Sequence, residues 1–154
     1  MCEEAMKDMM VFEEHAKWLV LLSDMQQARA VIASDLGDVQ TALTFGKKQL
    51  ATASAATTSG PQVNTIELAR AYMDLGKISI VDRNYAAAEE YFTKALPVLK
   101  AFPGYHKLQM YTILHGLGWI FLMQAAYKKA EECFFEALSD RNAAYGVDDT
   151  EGVQ

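Results

Sequence analysis

Residues 75–96 recur 42 positions later, at 117–138, and no other feature of the chain limits its folding so tightly. Leu75-Gly76 aligns with Leu117-Gly118, Ile78 with Ile120 and Tyr85 with Tyr127. Ala88-Glu89-Glu90 aligns with Ala130-Glu131-Glu132, Phe92 with Phe134, and Ala95-Leu96 with Ala137-Leu138. That makes ten identities over 22 positions, where composition alone gives roughly one or two. A period of this length belongs to arrays of stacked units, each burying its apolar face on its neighbours.

The spacing inside each copy is helical. Tyr85, Ala88, Phe92, Ala95, Leu96 and Leu99 recur every three or four residues, which sets them on one helix face. Ile66, Ala69, Tyr72 and Leu75 describe a second helix upstream. Each copy is therefore a helix pair. Gly76 and Gly118 lie inside helices, where glycine costs roughly 1 kcal/mol relative to alanine. Their retention at one slot predicts a close approach of two helix backbones, with Ala88 and Ala130 facing the gap.

Leu-Gly, then Tyr, then Ala-x3-Phe-x2-Ala resembles the signature of the tetratricopeptide repeat (TPR) family. Tyr72 and Leu114 occupy the slot of that family's first aromatic, and Ser79 and Phe121 that of its second. The 42-residue period is similar to the kinesin-light-chain type, also found in arrays attached to large signalling ATPases. Gly146-Val147-Asp148-Asp149-Thr150 is similar to the inter-repeat loop of that type. The resemblance covers residues 64–145. It implies an all-α, right-handed superhelix of antiparallel helix pairs, with about seven helices in one domain, 1–154. The parts are an N-terminal helix over 3–22, a degenerate repeat I over 23–57, repeat II over 63–101 and repeat III over 107–145. Residues 146–154 read as the start of a truncated or missing next repeat, so the last apolar face has no closing helix.

Local signals fill in the weaker half. Gly37-Asp38, then Val39, Ala42 and Leu50, mimics a repeat's turn and second helix, with Gly46 where phenylalanine is expected and Gln26 where the earlier aromatic is. Met9, Phe12, Ala16, Leu19 and Leu22 form one stripe, and Ser23-x-x-Gln26 reads as a capping box that restarts the chain as a new helix over 25–36. The stretch 53–60 reads as a mobile loop, and Pro97 should end or kink its helix.

Composition removes whole classes of function. The net charge of −6 and a pI near 5.0 repel a phosphate backbone, which argues against nucleic acid. The longest apolar runs, 18–22 and 118–123, are far short of the roughly 20 residues of a membrane span. Cys2-Glu3-Glu4 lacks the positive opening of a secretory signal. Cys2 and Cys133 give neither a disulfide framework nor a zinc motif. The reading is a soluble, cytoplasmic chain.

The resemblance places inward-facing residues at Arg70, Met73, Asp74, Lys77 and Ile80 in repeat II. In repeat III they are Thr112, His115, Gly116, Trp119, Leu122 and Met123, and the degenerate repeat adds Gln27, Val31 and Ser34. It implies a non-catalytic adaptor that holds a peptide or helical segment of a protein partner in a concave groove. Trp119, Met123, Leu122 and Met73 would supply apolar contact, and Lys77, Arg70, Asp74 and His115 polar register. The alternative for Trp119 and Met123 is packing in the core. A chaperone-tail carboxylate clamp is excluded, because its slots hold Gln27, Val31, Asp74, Thr112 and Gly116.

Other readings stand beside this one, one of them a fragment of a larger TPR-containing signalling protein. A homodimer could form through the uncapped C-terminal face, or through a first helix carrying four of the eight methionines in its first ten residues, although core packing is the favoured account of those methionines. An enzyme or small-molecule site could centre on His115, paired with Asp74. No catalytic residue, cofactor or metal site is expected. Glycines form no phosphate loop, and Glu13-Glu14-His15 diverge by about 100° per residue on a helix. Cys133 reads as a small buried hydrophobe, His106 as a solvated loop residue, and the paired glutamates as solvated helix surface.

Overall fold

A computed structural model of the chain describes residues 2–57, 63–101 and 107–145. Six helices follow in order: α1 (Cys2–Asp35), α2 (Val39–Thr57), α3 (Val63–Val81), α4 (Tyr85–Lys100), α5 (Lys107–Met123) and α6 (Tyr127–Tyr145). No strand occurs among the described residues. α1 packs on α2, α3 on α4 and α5 on α6, and the pairs stack through α2 on α3 and α4 on α5. His106, Phe102-Pro103-Gly104 and the segment 146–154 lie outside the described residues.

The three turns inside the pairs are copies of one another. At the first, Asp38 N–H donates to the Ala33 carbonyl and Gly37 N–H to Ser34. At the second, Asn84 bonds to Ser79 and Arg83 to Ile80, and at the third Ala126 bonds to Phe121 and Ala125 to Leu122. This 6→1 and 5→2 pattern closes a helix C-terminus around one left-handed residue. That residue is Gly37 (φ 79°), Arg83 (φ 59°) or Ala125 (φ 58°). The turn between α1 and α2 thus has the same geometry as the other two. Only the first turn carries the glycine that this conformation favours. Arg83→Gly and Ala125→Gly are each expected to raise stability by about 0.5–1 kcal/mol, the relief of left-handed strain less the extra freedom of an unfolded glycine. Urea unfolding measures both, and a loss at either site contradicts the account.

Against the expected about seven, the described residues form six helices. α1 runs unbroken through Ser23, which is buried inside it rather than capping a new helix. With 34 residues it spans about 51 Å at 1.5 Å per residue, against about 28 Å for the 19-residue α2. The N-terminal part of α1 therefore overruns its partner, and Met6, Met9, Met10 and Trp18 stand exposed there. Core packing holds for Met73 but not for Met6, Met9 and Met10, which are exposed with no helix opposite them among the described residues. The expected loop at 53–60 also starts too early, since α2 continues to Thr57. α4 runs three residues past Pro97, to Lys100.

The core explains the paired glycines differently from the expected backbone approach. What fills the space is an aromatic ring. A Cβ on Gly76 would lie 2.7 Å from Phe92 Cε1, and one on Gly118 would lie 2.7 Å from Phe134 Cε1. Phe92 is held from a second side, where a Cβ on Gly116 would lie 2.7 Å from Cε2. Around this ring gather Ala69, Ala88, Ala95, Ile113, Leu117 and Ile120. Repeat I joins repeat II by other means. Gly46, nine residues past its turn as Phe92 is past Arg83, makes room for Leu75, whose Cδ2 would lie 2.8 Å from an added Cβ.

Candidate functional site

Arg70, Met73, Asp74 and Lys77 fall at i, i+3, i+4 and i+7 along α3 and so share one face. They line a single cleft of about 380 Å³ with Thr112 and Leu108 of α5, Leu99 of α4 and Gln27 of α1. Met73 is buried and belongs to the core, so it forms the floor rather than a free contact. Leu108 is the exposed apolar residue of the lining.

The charges in this cleft are already answered by the chain. Asp74 is buried, and its Oδ2 accepts from Gln27 Nε2 at 2.8 Å and Gln49 Nε2 at 3.3 Å. Lys77 Nζ lies 3.7 Å from Asp74 Oδ1. Arg70 Nη1 donates to Asp24 Oδ1 at 3.1 Å and to Glu67 Oε1 at 3.2 Å. These contacts tie α1, α2 and α3 together. Exposed pairs such as Arg70–Asp24 stabilise by only about 0–1 kcal/mol each, so their main effect is to fix where the side chains stand.

Repeat III is arranged otherwise. His115 is exposed and lies tilted against Tyr111 at 5.6 Å and edge-on to Phe134 of α6 at 5.7 Å. Leu122 lines a trough on the outer face of α6. Trp119 and Met123 are exposed rather than packed on the preceding repeat. Gly116 lies beneath Phe92, and Ile80 is half-buried against the core. In the degenerate repeat Val31 is exposed and Ser34 half-buried. Asp74 is engaged by the two glutamines while His115 sits on Phe134, so the structure does not bring those two residues together.

Gln49 is the residue that sequence reasoning missed. It lies twelve residues past Gly37, as the buried Ala95 lies twelve past Arg83, and a polar residue in that apolar slot was the available signal. Elsewhere the chemistry is quiet. Cys133 is partly buried against the core, and its thiol is pushed above the usual range, first by burial and then by Glu136 and Glu132. Glu13, Glu14 and His15 are exposed, and no group of three metal-binding side chains occurs among the described residues. No helix among them is long and apolar enough to cross a membrane.

Helix pairs stacked through a repeated turn, with a cleft across their first helices, define a helical-repeat scaffold. A family model for the tetratricopeptide repeat matches residues 67–143, half of the chain, and the chain belongs to that family. The family's members are in general protein–protein interaction modules on a non-catalytic scaffold. No curated protein and no solved structure matches the chain.

Proposed function

We propose that the chain is a non-catalytic adaptor that holds a peptide or helical segment of a partner protein in the cleft between α1, α3 and α5. The observation that carries this reading is the convergence of Arg70, Met73, Asp74, Lys77 and Thr112 on one cleft. Because Asp74 and Arg70 have partners within the chain, a ligand would be read through shape, the exposed Leu108 and hydrogen bonds rather than by a charge clamp. A soluble, cytoplasmic setting belongs to the same reading, in keeping with the free Cys133.

The test is a displayed random-peptide library selected on the immobilised chain, with each enriched peptide titrated against variants. Lys77→Ala/Thr112→Ala is expected to weaken binding about tenfold or more, with the helical circular dichroism unchanged. If that variant binds as tightly as the parent while Trp119→Ala/Met123→Ala does not, the cleft reading fails.

A further inference from the structure

Along α3 the cleft changes chemistry. Toward the C-terminal end of that helix stand Asp74 and Lys77, with Gln27 of α1, and their polar atoms answer one another. Asp74 Oδ2 accepts from Gln27 Nε2 at 2.8 Å, and Lys77 Nζ lies 3.7 Å from Asp74 Oδ1. About 10 Å back along the helix, at 1.5 Å per residue, stand Ile66 and Glu67. Leu108 and Gln109 hold the same two slots of α5, 42 residues on, and line the same cleft.

Glu67 is the group left incomplete. Its Oε1 accepts from Arg70 Nη1 at 3.2 Å, while its buried Oε2 has no partner. Arg70 Nη1 has two hydrogens and gives the other to Asp24 Oδ1 at 3.1 Å. The charges do not balance either. Asp24, Glu67 and Asp74 share only Arg70 and Lys77, which leaves one negative charge in excess. With its side chain only 14% exposed, Glu67 has little water to make up for the missing donor. The surplus charge and the open acceptor thus meet in one residue, in a cleft that Ile66, Leu99 and Leu108 make apolar.

We propose that this part of the cleft takes a lysine or arginine side chain of the partner segment. Its methylene stem lies against Ile66, Leu99 and Leu108, and its charged head donates to the Glu67 carboxylate, with the Gln109 carbonyl oxygen as a neutral acceptor. Lysine and arginine are the side chains that join an apolar stem to several donors and bring the missing positive charge. The chain's net charge of −6 draws a basic segment toward it. The inference rests on the cleft reading above and names the residue type that the cleft selects.

The probes are peptides enriched from a displayed random library on the immobilised full chain. Each is made again with its basic residue changed to norleucine, which keeps the stem and loses the charged head. The expected result is one shared lysine or arginine among the peptides that Lys77→Ala/Thr112→Ala weakens. Changing it to norleucine should weaken binding by about ten- to hundredfold. On Glu67→Gln, which keeps the shape of the side chain, the two forms of each peptide should bind within about twofold of each other. A norleucine change that costs as much on Glu67→Gln as on the parent chain overturns the inference and leaves the cleft reading standing. So does a set of cleft-bound peptides with no shared basic residue. Peptides indifferent to Lys77→Ala/Thr112→Ala, or no enriched peptide at all, overturn the cleft reading and this inference with it.

Discussion

Phe92→Ala is expected to cost about 3–5 kcal/mol, the range for emptying a phenylalanine site in a packed core. Set against a domain stability of about 5–15 kcal/mol, that is enough to unfold a marginal chain. The ring is fully buried and wedged between Gly76 and Gly116, so its loss opens a void flanked by two glycines that have no side chain to move into it. Phe134→Ala removes the same atoms from the same slot one repeat later, but that ring has Gly118 on one side only and is half-exposed. Its expected cost is about 1–2 kcal/mol, because part of the ring never left water. Circular dichroism in urea is the appropriate readout, since Trp18 and Trp119 are both exposed and report packing poorly. Phe92→Leu, which fills part of the void, keeps the comparison measurable if the alanine variant does not fold. Equal costs at the two phenylalanines contradict the two-sided wedge.

That wedge also shows which parts of the fold could be read from sequence. The 42-residue period, the helix pairs and the special slots of Gly76 and Gly118 follow from identities at fixed spacing, because each copy solves the same packing problem with the same residues. What faces those glycines did not follow, since spacing along one helix does not say whether backbone or ring fills the gap. The break expected near Ser23 failed for a related reason. A serine with a glutamine three residues on marks a helix start only where the backbone needs a cap, and inside α1 the helical bonds are already made. In the cleft, the α3 row Arg70, Met73, Asp74 and Lys77 was legible because it depends on one helix's periodicity. The repeat III row was not, because whether His115, Trp119 and Leu122 face a groove or an end depends on what stacks beyond α6. Gln49 was hidden by its place in a degenerate repeat, where polar contacts replace the aromatic wedge.

The polar contact at that junction yields the second large effect. Asp74→Ala is expected to cost about 2–3 kcal/mol, because hydrogen bonds to a charged group are worth about 1.5–3 kcal/mol and a buried donor left without an acceptor adds a penalty. Gln49 is fully buried, and Asp74 is the acceptor of its Nε2. Removing the carboxylate strands that amide and also cuts the 2.8 Å tie from Gln27, which holds α1 to α3 across the cleft. Gln49→Ala is the opposite case. It puts alanine where repeat II has Ala95, removes a buried amide whose Oε1 has no partner, and leaves Asp74 with Gln27 and Lys77. Its expected cost is about 1 kcal/mol or less, close to the net worth of an ordinary hydrogen bond. Asp74→Asn, which keeps one acceptor oxygen but loses the charge facing Lys77, should fall between them. Urea midpoints for the three variants test this order. A cost for Asp74→Ala no greater than that for Gln49→Ala would mean that Leu75 in the space beside Gly46, and not the carboxylate, holds the first two repeats together.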